Sequence, residues 1–205
     1  MDKNANVIFL KKYFKDKDFG FYIDVGCFHP IRFSNTMFLN SKGWKGMNID
    51  LSEKTIDLFN ISRPKDINLN FGVGSKEETL EYFYNKELYQ ANTLNKNFAE
   101  SFLKKEGLKK KKIEIKTLSY LIDKYEFNEK IDLIDIDAEG FDLEVLKGID
   151  FKKYKIDLIM IEVHNYDEKT KKEAKEILEL LASKNFKLIE GFYPGNCIFK
   201  NILCN

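Results

Sequence analysis

Phe21-Tyr-Ile-Asp-Val-Gly-Cys-Phe-His-Pro30 is the stretch of sequence that decides the fold, because an apolar run carries Asp24 near its end and Gly26 follows at once. Gly46–Asp50 and Ile131–Gly140 are also apolar runs that end in acids. Buried parallel strands read as continuous apolar runs, and open α/β sheets bind ligands beyond the carboxyl ends of their strands. The three segments therefore predict strands that deliver carboxylates to one edge of a sheet, which is typical of a nucleotide-type pocket in an enzyme.

Length and charge favour one folded domain with a small-molecule partner. The chain has 205 residues, of which 43% are hydrophobic and 33% charged, so it is large enough to bury a core. We predict a single domain over residues 1–205, with an irregular insert at about 75–111. Lys and Arg number 34 against 33 for Asp and Glu, and the net charge of +1 gives no electrostatic argument for a nucleic-acid partner. The composition leaves the oligomeric state open.

The chain carries no sequence signal for a membrane or for an oxidising compartment. No run approaches the roughly 20 apolar residues that cross a bilayer, and the first residues lack the apolar core of a signal peptide. Cys27, Cys197 and Cys204 form no CxxC pair, so neither a disulfide framework nor a zinc site is indicated. We expect a cytoplasmic protein without a membrane partner.

Strands and helices alternate along the chain. We predict strands at 21–25, 47–50, 67–73, 113–116, 133–136 and 158–163. We predict helices at 5–16, 34–42, 52–61, 97–106, 117–125, 141–147 and 169–184. Residues 79–84 read as a hairpin or edge strand, 107–112 as a basic turn, and 186–190 with 197–202 as a closing antiparallel pair. This order predicts an α/β fold with a doubly wound, Rossmann-like sheet that is mostly parallel and has an antiparallel C-terminal hairpin.

The turn after the first strand differs from a dinucleotide-binding loop. A GxGxxG loop seats a pyrophosphate on backbone amides, whereas Cys27–Pro30 fills this turn and Pro30 has no amide donor. A ligand without phosphates therefore fits better. Asp50 ends the next strand 24 residues after Gly26, near the spacing of about 20 at which an acid accepts ribose hydroxyls. The combination favours an adenosine-bearing ligand, and the alternative is that Gly26 only forms a turn and Asp50 only caps one.

Six segments together carry a resemblance to a known family: Asp24–Pro30, Ser34–Thr36, Gly43–Asp50, Lys116–Leu118, Asp135–Gly148 and Ile161–His164. They resemble the FkbM-type S-adenosylmethionine-dependent methyltransferases over residues 20 to 165, and the DAEGFDLEVLKG run is the most specific part. The resemblance implies a class I methyltransferase-like fold. It also implies methyl transfer, usually to oxygen on sugars or other small metabolites.

By position, the resemblance also implies which residues bind the cofactor. Asp24 and Gly26 would face the methionine moiety of S-adenosylmethionine, Asp50 the ribose, and Gly72 and Val73 the adenine. Asn35, in the Ser34–Thr36 segment, belongs to the same predicted set. Pro30 departs from the pattern, because many class I enzymes have a third glycine in that turn.

Three acids alternate along the predicted strand 133–136 and its exit. Asp135 and Asp137 fall on the same side, and a buried strand carries such acids only where they are paired or bind something. We expect Asp137 and Glu139 at the strand mouth, next to the sulfonium of the cofactor. The alternative is that one of them caps the helix that follows.

Both histidines of the chain, His29 and His164, directly follow predicted parallel strands. A sugar hydroxyl is a poor nucleophile, so a base with a pKa near neutrality would assist its attack. We predict His164 as that base, with Asp137 and Glu139 beside it; the alternative is a structural histidine. Glu162 and His164 with Asp137 and Glu139 also form a candidate Mg²⁺ or Mn²⁺ site.

The expected function is O-methylation of a sugar hydroxyl on a sugar nucleotide or surface glycan precursor, with S-adenosylmethionine as methyl donor. The alternatives are an RNA or other small-metabolite methyltransferase, a nicotinamide oxidoreductase, and a non-catalytic nucleotide-binding module. Lys109–Lys112 fits either a grip on an acceptor phosphate or a solvated turn.

Overall fold

The computed structural model describes residues 3–102, 107–127, 130–163, 168–191 and 195–204. The strands in these ranges are β1 (Phe21–Val25), β2 (Lys45–Asp50), β3 (Ile67–Asn70), β4 (Gly72–Val73), β5 (Glu78–Tyr84), β6 (Lys109–Lys116), β7 (Lys130–Ile136), β8 (Lys155–Val163), β9 (Phe186–Gly191) and β10 (Gly195–Asn201). The helices are α1 (Lys3–Tyr13), α2 (Met37–Ser41), α3 (Glu53–Ser62), α4 (Lys96–Phe102), α5 (Leu118–Lys124), α6 (Asp142–Lys147) and α7 (Glu168–Ser183).

The main sheet has seven strands in the order β3-β2-β1-β7-β8-β10-β9. The pairs β1–β2, β2–β3, β1–β7 and β7–β8 are parallel, whereas β10 runs antiparallel to both β8 and β9. The strand order reverses between β1 and β7, and ligands bind at such switch points of open α/β sheets. The predicted fold class is therefore confirmed, including the antiparallel C-terminal hairpin.

Apolar side chains cover both faces of the main sheet. On one face, Ile23 and Ile134 belong to a buried cluster with residues of α5, α6 and α7. On the other face, Tyr22 and Leu133 pack with residues of α1 and α2. Burial on both faces explains why these strands read as continuous apolar runs. Among the described helices, none combines the length and the apolar character that a bilayer crossing requires.

Two predicted helices begin at residues that cap them, and a third predicted helix begins later than expected. The Ser52 hydroxyl accepts the Thr55 amide at 3.4 Å before α3, and the Thr117 hydroxyl accepts the Tyr120 amide at 3.1 Å before α5. The prediction that a helix starts at Ser34 is wrong, because α2 begins at Met37. Residues 34–36 instead turn their side chains toward buried groups.

The predicted strand 67–73 is split. β3 ends at Asn70, whose side-chain amide donates to the carbonyl oxygens of Asp50 and Leu51 at 3.0 and 2.9 Å. Gly72–Val73 then pairs with β6 in a second sheet of order β4-β6-β5. A Cβ at Gly72 would lie 2.3 Å from the terminal methyl group of Ile115 in β6, so any side chain here would require Ile115 to move.

The prediction of a basic turn at 107–112 is also wrong for residues 109–112, because they belong to β6, which begins at Lys109. β6 runs antiparallel to β5, and lysines on it pair with acids: Lys110 with Glu81 at 3.0 Å and Lys111 with Glu53 at 3.5 Å. Tyr82, Ile113 and Ile115 form the buried side of this sheet. The predicted irregular insert therefore contains β5, α4 and the first residues of β6, and β5 forms an antiparallel pair with β6.

Candidate active site

Two adjoining clefts lie at the carboxyl ends of β1, β2 and β7. We call the first the apolar cleft; its lining includes Gly26, Asp50, Phe71, Gly72, Val73 and Leu94. We call the second the carboxylate cleft; its lining includes Asp24, Phe28, Phe33, Asn35, Asp135 and Asp137. Gly26, Gln90 and Asp137 line both clefts. The structure therefore brings every sequence-predicted cofactor residue to one of two connected spaces.

Gly26 allows the exits of β1 and β7 to approach each other closely. Its φ is +78°, and a Cβ at this position would lie 2.0 Å from the Asp137 carbonyl oxygen. The Gly26 amide donates to the Ile49 carbonyl at 2.9 Å, and the Asp137 amide donates to the Val25 carbonyl at 3.0 Å. Any side chain at residue 26 would push the wall of both clefts apart.

The Asp50 carboxylate holds the turn after β1 and also lines the apolar cleft. Oδ2 accepts the Phe28 amide at 3.0 Å and Oδ1 accepts the Ser52 amide at 2.7 Å. Enclosure of the carboxyl group raises its pKa to about 6, although both amide bonds act in the opposite direction. A carboxylate offers about four acceptor positions. Asp50 therefore does cap the turn, and its carboxylate can still accept hydrogen bonds from a ligand in the cleft.

The floor of the carboxylate cleft carries two buried acids with their own donors. The Thr36 hydroxyl donates to Asp24 Oδ2 at 2.6 Å, and the Asn35 side-chain amide donates to Asp135 Oδ2 at 3.0 Å. Burial raises the pKa of Asp24 to about 6. The Asn35 Oδ1 atom is buried and has no hydrogen-bond donor among the residues that the structure describes. Asn35 therefore orients Asp135 and presents an acceptor in the same cleft.

Hydrogen bonds to Asp142 and Thr93 hold the loop that follows β7. Asp142 accepts the Ala138 and Gly140 amides at 2.9 and 3.1 Å, and burial raises its pKa to about 7. Thr93 donates its hydroxyl to the Glu139 carbonyl at 2.8 Å. Glu139 has a φ of +50°, an uncommon conformation for a residue with a side chain. The N-cap residue of α6 is Phe141, which makes no side-chain cap hydrogen bond.

Within the described ranges, one group of carboxylates has the spacing of a metal site. Asp137, Glu139 and Glu162 each offer an oxygen, and these oxygens lie within 4.8 Å of one another. All three residues are partly exposed. Oxygen donors of this type suit Mg²⁺ and Mn²⁺. The structure places Asp137 and Glu162 of the predicted metal set close together, whereas His164, the predicted base and further ligand, lies outside the described residues.

His29 has a local role in the turn after β1. Its Nδ1 atom accepts the Ile31 and Arg32 amides, each at 3.1 Å. Partial burial, together with the charge of Arg32, lowers the pKa of the imidazole. These two bonds hold Nδ1 as an acceptor, so His29 is a turn residue here.

Two residues of the site had no sequence signal. Gln90 reaches both clefts from the segment between β5 and α4, where the sequence shows no periodicity. Arg63 is buried and donates to Ser34 and Thr36 beside the carboxylate cleft. An arginine directly after a helix reads as a solvated residue, so only its three-dimensional partners reveal it.

Comparisons with known proteins support a single family and fold. Residues 22–188 match the model of the methyltransferase FkbM domain. Methyltransferase FkbM from Methylobacillus flagellatus KT is structurally similar, with a TM-score of 0.55 and 10% identity over 89% of this chain and 44% of that one. A putative rRNA-methylase from Clostridium thermocellum has a TM-score of 0.51 and 12% identity over 96% of this chain and 97% of that one. At such identities both structures support the fold alone, and no curated protein matches the chain.

Proposed function

The chain belongs to the FkbM methyltransferase family, and from this premise we propose that it transfers a methyl group from S-adenosylmethionine to a hydroxyl of a small acceptor. One observation carries the proposal. An apolar cleft that includes Asp50 opens beside a cleft lined by Asp24, Asp135 and Asp137. This division matches a donor that has a nucleoside at one end and a positively charged sulfonium and ammonium at the other.

The apolar cleft supports an adenosine position. Phe71, Val73 and Leu94 offer apolar surface for the adenine ring, and the Asp50 carboxylate retains acceptor capacity for the ribose hydroxyls. The turn at Cys27–Pro30 has no glycine-rich amide cradle for a pyrophosphate. These features favour S-adenosylmethionine over a nicotinamide dinucleotide.

The carboxylate cleft supports the charged end of the donor. Asp24 and Asp137 would lie against the sulfonium and the ammonium group, and the low polarity of a buried site strengthens such attraction. In the transfer, the acceptor oxygen forms a bond to the methyl carbon as the carbon–sulfur bond breaks. The electron pair goes to sulfur, which becomes a neutral thioether, and a base takes the hydroxyl proton. Alignment of the reacting atoms contributes roughly 7–11 kcal/mol of barrier lowering in such reactions.

The general base that takes the proton of the acceptor hydroxyl is proposed to be a residue that follows a strand of the main sheet. Glu139 follows β7 at the rim of the site, and His164 directly follows β8 in the sequence. A positioned general base contributes about 10²–10⁴-fold in rate. We retain His164 as the first candidate and Glu139 as the second.

A sugar hydroxyl, on a sugar nucleotide or a surface glycan precursor, is the proposed acceptor. Phe28 and Phe33 line the carboxylate cleft beside the acids that would hold the donor, and the apolar face of a sugar ring would pack against these two rings while a hydroxyl faces the methyl group. The lysines of β6 give little support to an RNA acceptor, because Lys110 and Lys111 are paired with acids. A gel-shift experiment with structured RNA tests that alternative, since stable complexes would favour it.

A divalent metal is a further part of the proposal. Asp137, Glu139 and Glu162 would hold Mg²⁺ or Mn²⁺ through carboxylate oxygens. When bound, the metal would lower the pKa of a coordinated hydroxyl and orient it. The residues of this chain would still supply the donor site and the alignment.

Calorimetry tests the donor assignment directly. We expect S-adenosylmethionine and S-adenosylhomocysteine to bind and NADH not to bind. Methyl transfer to a panel of sugar nucleotides then tests the acceptor. Binding of NADH with no binding of either sulfur compound would contradict the proposed function.

A further inference from the structure

Arg63 is a buried cation behind the carboxylate cleft. It directly follows α3, is 3% exposed, and its guanidinium carbon lies 4.9 Å from the centre of the Phe59 ring. Burial of an arginine is costly unless its donors are satisfied. The partners of its guanidinium are hydroxyl and carbonyl oxygens on several separate segments, and they explain how the charge is accommodated.

Three of these partners lie on one loop. Nη2 donates to the Ser34 hydroxyl at 2.8 Å and to the Pro30 carbonyl, and Nη1 donates to the Thr36 hydroxyl at 2.9 Å. The loop between Pro30 and Thr36 supplies Phe33 and other residues to the carboxylate cleft. The planar fork of one guanidinium therefore holds this loop at three points.

Thr36 links the guanidinium to Asp24. Its hydroxyl has one proton, which it donates to Asp24 Oδ2 at 2.6 Å, so it must act as acceptor toward Arg63. Tyr22 makes the corresponding link on the other side: its hydroxyl donates to Asp66 at 2.6 Å and accepts from Arg63 at 3.2 Å. The guanidinium thus acts on two carboxylates through two hydroxyls, and only the Thr36 branch reaches the cleft.

We propose that Arg63 is a positioning residue of the donor site, which holds the 30–36 loop and, through Thr36, fixes the Asp24 carboxylate toward the charged end of the donor. The assignment to the donor rests on the proposed function. Lysine cannot replace Arg63 here, because a single ammonium cannot reach Pro30, Ser34 and Thr36 with the geometry of a guanidinium fork.

Hydrogen exchange in the ligand-free protein tests the loop contact without any cofactor. Arg63→Lys should speed amide exchange of residues 31–36 about tenfold relative to the strands of the main sheet, as the loss of one charge-assisted bond predicts. Tyr22→Phe is the matched control, because it removes a partner of the same guanidinium outside the loop. Equal acceleration across the sheet and the loop in both variants would show that Arg63 is only structural. If Arg63→Lys does not fold, Ser34→Ala takes its place in the same comparison.

Calorimetry with S-adenosylmethionine tests the link to Asp24. Thr36→Val should weaken binding about tenfold in the parent protein and change it little in an Asp24→Asn background, because residues that act through one group are not additive. If the substitution weakens binding by the same factor in both backgrounds, the link to Asp24 is overturned. A parent protein that binds no S-adenosylmethionine would overturn the proposed function instead, and the exchange result would still decide the role of Arg63 in the loop.

Discussion

Asp24 of β1 lies directly opposite Asp135 of β7 in the parallel register, so two buried acids occupy neighbouring positions at the floor of the carboxylate cleft. Neighbouring parallel strands are about 4.8 Å apart, so the two acidic side chains leave the same face of the sheet side by side. A cationic group would be attracted to such a pair, which supports the proposed placement of the charged end of the donor at this end of the site.

The first prediction concerns the pH dependence of donor binding. Burial raises the pKa values of Asp24 and Asp50 to about 6, so each is ionised above that pH and neutral below it. We expect the affinity for S-adenosylmethionine to fall as the pH decreases through about 6, because protonation removes both the charge and the acceptors. Calorimetric titration with S-adenosylmethionine at several pH values across this range measures the dissociation constant. A constant dissociation constant would count against both acids as ligand groups.

The second prediction separates the two roles of Asp50. Asp50→Ala should weaken S-adenosylmethionine binding by about 1.5–3 kcal/mol, the usual contribution of a hydrogen bond to a charged group. Asp150→Ala is a matched control, because Asp150 also accepts a backbone amide in a turn, that of Lys152 at 3.0 Å, and it is exposed. Normal binding by a folded Asp50→Ala variant would leave Asp50 as a turn residue only.

The third prediction uses two glycines with similar backbone conformations. Gly26 has a φ of +78° and Gly43 a φ of +87°, but only a Cβ at Gly26 would meet another atom, the Asp137 carbonyl oxygen at 2.0 Å. Gly43→Ala should therefore cost about 1 kcal/mol from its left-handed backbone alone. Gly26→Ala should cost several kcal/mol more and should abolish donor binding. Urea unfolding of both variants measures the difference, and equal losses would contradict the close approach of β1 and β7.

The fourth prediction concerns stability in the absence of a ligand. Burial raises the pKa values of Asp24, Asp50 and Asp142 from 3.8 to about 6, 6 and 7. Between about pH 4 and pH 7 the folded state therefore binds more protons than the unfolded state, and the free energy of unfolding should fall as the pH rises. Urea unfolding at several pH values measures this slope. Asp142→Asn should reduce it, and a free energy that rises with pH over this range would refute the prediction.

The fifth prediction concerns the chemical step. His164→Ala should retain S-adenosylmethionine binding and lose at least about 10²-fold in methyl-transfer rate, as expected for a positioned base. Glu139→Gln is the parallel variant. A normal rate in His164→Ala with a large loss in Glu139→Gln would transfer the role to Glu139. Chelation with EDTA, followed by addition of Mg²⁺ or Mn²⁺, tests the metal separately: a rate insensitive to both treatments would exclude a metal requirement.

The sequence by itself determined the layer architecture and the edge at which the site lies. Strands that are buried on both faces need continuous apolar runs, and helices need polar residues at their first positions. Both requirements are local, so the order of strands and helices can be read from the sequence. Ser52 and Thr117 cap two of the helices that the sequence predicts. The acids at the ends of β1, β2 and β7 must meet at one edge, since parallel strands share their carboxyl end.

Only the tertiary structure decided which groups at that edge contact one another. The break after Asn70 depends on the carbonyl oxygens of Asp50 and Leu51, and β6 forms from a lysine run because β5 lies beside it. Arg63 reaches the loop 30–36 across 29 residues of sequence from Ser34. Such contacts have no period and no fixed spacing along the chain. They arise only when packing brings distant donors and acceptors together, because a buried polar group must then be satisfied by whichever partner the fold places next to it.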